Sequence, residues 1–194
     1  PGFGGGGGCA MKKLVLRALY PLLRLFYNKE WLTGKWFTRY KAGYLWALRS
    51  LPRRLFKRQP WPISRHCQVQ NPKNLRIDPS SLNCLQNRGC YFQNQRAAIT
   101  IGKDVYIANN VGLITQNHNP LDLDEHLPGE DIVIGDRCWI GMNCVILPGV
   151  TLGPGTVVGA GAVVTKSFPE GQCVIAGNPA RLLRRLDEPA SGER

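Results

Sequence analysis

The chain reads as a mainly β protein: a parallel β-solenoid of six-residue units, preceded by a basic, aromatic α-helical segment and closed by a short C-terminal helix. Three observations predict this. Large aliphatic residues recur every sixth position at Ile101, Ile107 and Leu113 and again from Ile134 to Val164, a spacing foreign to both a 3.6-residue helix and an alternating strand. Charge is divided: 14 Lys and Arg stand against one acid, Glu30, between Met11 and His66, although the whole chain carries only +12. The same front holds 11 of the 17 aromatic residues.

A chain of 194 residues and 21.6 kDa is expected to build one main core with an appendage. Four segments follow: residues 1–10, a glycine-rich appended or flexible lead; 11–66, the basic amphipathic segment; 67–180, the solenoid, interrupted by a loop over 119–133; and 181–194, the C-terminal helix and tail. The lead carries six glycines and no surface worth burying. A secretory signal or spanning helix over Met11 to Tyr27 is disfavoured because Arg17 and Arg24 interrupt the apolar run.

In the front, Lys13, Arg17 and Arg24 share one helical side while Leu14, Leu16, Leu19, Leu22, Leu23, Leu25 and Phe26 crowd the rest. Pro21 is expected to kink or split that helix. Trp31 to Arg49 again mixes Trp, Tyr and Phe with Lys35, Arg39, Lys41 and Arg49. Cations and interface-seeking aromatics on segments too charged to span suit an anionic membrane surface, the partner expected for residues 11–66. A helical arm that packs on the solenoid or assembles the oligomer is the other reading. Nucleic acid fits poorly, because Leu and Trp are too abundant for a phosphate-tracking stripe.

In the body, the aliphatic starts are Ile101, Ile107, Leu113, Ile134, Ile140, Ile146, Leu152, Val158 and Val164. Nine aliphatics in nine slots arise by chance about once in 10^5. Gly follows at Gly102, Gly135, Gly141, Gly153 and Gly159, and small residues recur four places on, at Val105, Val111, Cys138, Cys144, Val150, Thr156 and Ala162. One large and one small inward residue per six, split by a Gly suited to a tight corner, describes a short strand plus turn, with three units to a triangular coil. The seven cysteines show no Cys-x-x-Cys spacing and no company of histidines, so no metal is expected and the thiols should be reduced, in a cytoplasmic setting. The repeat breaks once. After His118, 15 residues intervene, carrying Asp122, Asp124, Glu125, His126, Glu130 and Asp131, and a long polar excursion from a rigid scaffold commonly serves function.

The strings Ile114-Thr-Gln-Asn-His118, Val133-Ile-Gly-Asp-Arg-Cys-Trp-Ile-Gly141, Val145-Ile-Leu-Pro-Gly-Val150, Val158-Gly-Ala-Gly-Ala-Val-Val-Thr-Lys166 and Ala176-Gly-Asn-Pro-Ala180 resemble the hexapeptide-repeat acyltransferases. The likeness is greatest to the galactoside, maltose and xenobiotic O-acetyltransferases and the capsule polysaccharide O-acetyltransferases, over about residues 70 to 186. That resemblance implies a left-handed parallel β-helix, which spacing alone does not give, since crossovers between parallel strands are otherwise right-handed. It implies a homotrimer, acetyl-CoA as acyl donor, direct transfer without a covalent enzyme intermediate, and His118 as general base on a carbohydrate hydroxyl. A hydrogen-bonded histidine at a loop root is the bland alternative. The resemblance places Trp139, Met142, Ala160, Thr165, Lys166, Arg181 and Arg184 at acetyl-CoA-binding positions. Trimer packing is the plain reading of Trp139, and a solvated helix face that of the arginines. Asn87, Asn94, Asn117 and Asp122 are the acceptor-binding candidates. His126 reads as a hydrogen-bonding loop residue and His66 as a surface one.

The expected activity is therefore a membrane-peripheral, cytoplasmic O-acetyltransferase acting on a cell-surface polysaccharide or lipid-linked glycan precursor. A small-sugar or xenobiotic acetyltransferase and a sugar-nucleotide N-acetyltransferase are the alternatives within catalysis. A metal hydrase on the same solenoid would need three zinc-binding histidines, and here His66 precedes the repeat and a loop parts His118 from His126. A scaffold without catalysis would leave His118 without purpose.

Overall fold

Short β-branched runs separated by turn residues cannot make long strands, and in the computed structural model they make many two- and three-residue ones instead. The structure describes residues 18–33, 43–56 and 59–186, which divide between two compact units, one up to Ile63 and one from Ser64.

In the second unit the strands stack into three faces, paired in parallel except for the last strand of the third. The first face is β1 (Gln68–Val69), β3 (Tyr91–Gln93), β6 (Gly112–Ile114), β11 (Val145–Ile146) and β14 (Val163–Val164). The second is β2 (Leu75–Ile77), β4 (Ile99–Ile101), β9 (Ile132–Ile134) and β12 (Thr151–Leu152). The third is β5 (Tyr106–Ile107), β10 (Trp139–Ile140), β13 (Val157–Val158), β15 (Cys173–Gly177) and β16 (Ala180–Arg185). A separate hairpin, β7 (His118–Asn119) with β8 (Asp122–His126), leaves the coil after the first face.

All nine periodic aliphatics point inward and are buried, in register columns such as Leu113, Ile146 and Val164 or Ile107, Ile140, Val158 and Ile175. Each fully buried aliphatic side chain contributes about 1.5 to 3 kcal/mol relative to exposure. The small residues four places on fill the corners and are buried too. Cys138 and Cys144 donate their thiols to the carbonyls of Gly153 (3.2 Å) and Gly159 (3.0 Å) in the next coil. Burial pushes the Cys138 thiol up to about 11.

The glycines have a different task from the one expected. Left-handed corner residues lie three places after seven of the nine aliphatics, at Asp104, Asn110, Arg137, Asn143, Gly149, Gly155 and Gly161. Glycines at the position after the aliphatic instead permit close approach of successive coils: a Cβ on Gly141 would lie 2.6 Å from the Ala160 nitrogen, and one on Gly135 2.8 Å from the Pro154 nitrogen. At the corner between first and second faces that position holds Ile114, Leu147 and Thr165. This is the corner from which the hairpin departs.

The solenoid also starts earlier than the six-residue period reveals. Register partners Ile134 and Leu152 are 18 residues apart, but Ile77 and Ile101 are 24 apart. The excess is a 3-10 helix, Pro79–Leu85, capped by Asp78 and packed beside β5. Ser81, Leu82, Asn83, Cys84 and Leu85 are its buried residues.

The expected C-terminal helix is corrected at residues 180–185, which form strand β16, antiparallel to β15. An edge strand there satisfies the outer backbone of β15, which a short helix would leave unpaired. The tail from 187 onward lies outside the described residues.

In the first unit, residues 18–24 are helical through Pro21, so the helix (α1) is not split there. α2 spans Glu30–Thr33 and α3 spans Gly43–Phe56. Tyr27 ties the unit together: its hydroxyl lies 2.6 Å from Ser50 Oγ and donates to the Ala47 carbonyl, while Arg54 Nε donates to Phe26 O at 2.7 Å. Lys13, Arg17, Lys35, Trp36, Arg39 and Lys41 of the basic segment, and the glycine-rich lead, lie outside the described residues.

Candidate active site

His118 occupies the first residue of β7, where the chain leaves the rigid coil. The root is fastened from inside: the buried Gln116 donates through Nε2 to Leu127 O at 2.7 Å, Leu127 N donates to Asn117 O, and Glu130 N to Thr115 O at 2.8 Å. Asp131 closes the loop by accepting from Ala98 N at 2.7 Å. The expected loop is thus a hairpin pinned at both ends.

Its geometry fixes the imidazole. His118 Nδ1 lies 2.8 Å from the carbonyl oxygen of Leu123. A carbonyl only accepts, so Nδ1 carries a proton, and in the neutral ring the lone pair therefore lies on Nε2. This tautomer is what a general base requires. His126 is the register partner of His118, with ring centroids 4.2 Å apart and planes tilted by 39°. Both rings are exposed in the single chain. The Leu123 carbonyl and the His126 ring are contacts that sequence reasoning missed. The signal available was the Asn119-Pro-Leu-Asp122 turn, flanked by residues able to pair across it.

Of the acceptor candidates, Asn117 and Asp122 sit on the hairpin, both exposed, with Asp122 Oδ1 taken by Asp124 N at 3.1 Å. Asn94 is fully buried: its Oδ1 accepts from Asn71 N and its Nδ2 donates to Asn71 O. Asn87 donates to Ile107 O. Both amides therefore join coils.

The donor candidates form a second group. Trp139 lies on the outer side of the third face, 57% exposed, between Tyr106 and Val157. Met142 and Ala160 flank the adjoining corner, where Met142 O accepts from Gly161 N at 2.8 Å. Both are exposed, beside the close coil approach at Gly141. Thr165 and Lys166 follow β14 at the corner nearest the hairpin, with Lys166 Nζ 5.7 Å from the Phe168 ring centroid. Arg181 and Arg184 lie on β16 opposite Ala176 and Val174. His118 and Trp139 thus stand on different sides of the triangular coil. Among the described residues no cluster of three His, Cys, Asp or Glu could hold a metal ion.

Residues 131–166 match the family model described as bacterial transferase hexapeptide, six repeats. A Saccharomyces cerevisiae protein provisionally named an acetyltransferase is 41% identical over 99 residues, covering 49% of this chain and 50% of that protein. One from Dictyostelium discoideum, named in the same provisional way, is 50% identical over 92 residues, covering 45% and 47%. The chain therefore spans about half the length of these curated relatives. Among solved structures, a hexapeptide-repeat-containing acetyltransferase of Vibrio cholerae complexed with acetyl coenzyme A superposes with a TM-score of 0.52 at 28% identity, covering 96% of this chain and 94% of that one. The fold is a left-handed parallel β-helix, and in its repeat and its coil the chain is similar to the hexapeptide-repeat acetyltransferases.

Proposed function

We propose that the protein is an O-acetyltransferase that moves acetyl from acetyl-CoA to a carbohydrate hydroxyl, with His118 as general base. The observation that carries this reading is the Leu123 carbonyl on His118 Nδ1, which leaves Nε2 free to take a proton. Nε2 accepts the hydroxyl proton as that oxygen attacks the thioester carbonyl. The carbon–sulfur bond breaks, and the imidazolium returns the proton to the departing thiolate, giving an acetyl ester and free CoA thiol. Positioned proton transfer of this kind contributes roughly 10^2 to 10^4 in rate.

A homotrimer suits the separation of the two groups of residues, since a neighbouring copy can bring the Trp139 side of one coil toward the hairpin of another. Exposed Trp139 and Met142 offer apolar contact to the donor arm, the small side chain of exposed Ala160 lets a ligand approach backbone, and Lys166, Arg181 and Arg184 supply cations for phosphate.

Residues 11–66 hold the enzyme at an anionic membrane surface on the cytoplasmic side, which favours a lipid-linked glycan precursor as acceptor. In the first unit Leu25 is 77% and Phe56 85% exposed. Leu25, Phe26, Arg54 and Leu55 border one open cleft. Among the described residues no helix is long and apolar enough to cross a membrane.

The test is His118→Ala, assayed by thiol release from acetyl-CoA against a panel of free sugars and glycans. The expected loss in turnover is about 10^2-fold or more with acetyl-CoA affinity nearly unchanged. Transfer near the wild-type rate would remove His118 from the reaction.

A further inference from the structure

The hairpin brings two histidines together and the proposed reaction uses one. His126 pairs across β7 and β8 with His118, and its ring sits 4.2 Å from the other, close enough to restrict its rotation. The Leu123 carbonyl fixes one edge of the His118 ring, and His126 covers a face that the carbonyl does not touch.

We infer that His126 is a positioning residue for His118: packed at a tilt against its ring, it holds the imidazole at the angle set by Leu123 O. The inference rests on the reading of His118 as the base. Its consequence is a base whose Nε2 is kept in one direction, so that the second ring serves turnover and not donor binding. The neighbouring side chains of the hairpin are held separately, with Glu125 Oε2 accepting from Asn119 Nδ2 at 2.6 Å.

The test uses the 194-residue chain with His126→Phe, which keeps a ring, and His126→Ala, which removes it. Acetyl transfer with kcat and KM separated reads the effect: His126→Ala should lower kcat by about tenfold with the KM for acetyl-CoA unchanged, and His126→Phe should restore most of it. An unchanged kcat in His126→Ala, or an equal loss in both variants, overturns the inference. If His118→Ala retains activity, the proposed reaction falls, while nuclear magnetic resonance still decides whether the two rings are in contact, since a ring 4.2 Å away shifts the His118 carbon-bound protons and that shift should be lost in His126→Ala.

Discussion

Close coil packing makes Gly141→Ala a sharp test of the fold. The added Cβ would lie 2.6 Å from Ala160 N, 2.7 Å from Val158 O and 2.9 Å from Ala160 Cα. All three are backbone atoms, so no side chain can swing aside. Ordinary contact begins near 3.4 Å, so the next coil must retreat by about 0.8 Å, taking the Gly141 N to Val158 O hydrogen bond from 2.8 Å to a separation at which it no longer counts as one. Losing that bond costs about 1 kcal/mol, and overpacking costs about 1 to 3 kcal/mol. The reduced freedom of the unfolded chain offsets about 0.4 to 1 kcal/mol. Net destabilisation should be about 2 kcal/mol. Gly161→Ala is the control: its φ is +72° with nothing within 4 Å of the new Cβ, so the penalty is only the left-handed backbone, about 1 to 2 kcal/mol before the same offset. Guanidinium unfolding at pH 7, at fixed protein concentration and at two such concentrations, measures both. A Gly141→Ala midpoint equal to wild type, or above that of Gly161→Ala, would refute the account of why glycine stands there.

The buried thiols set an alkaline limit. Cys138 titrates near 11 when folded against 9.0 as an unperturbed thiol, so the folded chain holds a proton the unfolded chain has released. This thiol's contribution is then full below pH 9 and declines by about 2 kcal/mol between pH 9 and 11; burial pushes the Cys84, Cys90 and Cys144 thiols up as well, so Cys138→Ala should lessen, without abolishing, the decline in unfolding midpoints from pH 8 to pH 10. Full-length protein should bind anionic vesicles at low salt, and Leu25→Ser with Phe56→Ser should weaken this by about tenfold or more in sedimentation assays, because each exposed apolar side chain inserted contributes up to about 1.5 to 3 kcal/mol. Equal binding by the double variant would leave the first unit as an assembly arm. Light scattering should find a homotrimer, shifted toward monomer by Trp139→Glu. A stable monomer that still turns over would defeat the shared-site reading.

The sequence by itself determined the coil. A strict six-residue spacing with a large aliphatic and a small residue at fixed offsets has one economical solution, three short strands per turn, and every periodic position from Ile101 to Val164 is buried as that pattern requires. It also marked His118, because a break in a regular repeat is visible without coordinates. Tertiary structure decided what depends on the neighbouring coil. The glycine that follows five of the nine aliphatics makes room for backbone 16 to 34 residues away in the chain, as Gly141 does for Ala160 and Gly102 for Asp136, so nothing local distinguishes it from a corner glycine. The segment 180–185 is a strand because the β15 edge is there to pair with. The coils before Ile101 are hidden by the inserted 3-10 helix, whose residues keep the inward side filled while breaking the count. His126 meets His118 only once the hairpin closes, since a contact between side chains eight residues apart is a property of strand register and not of spacing.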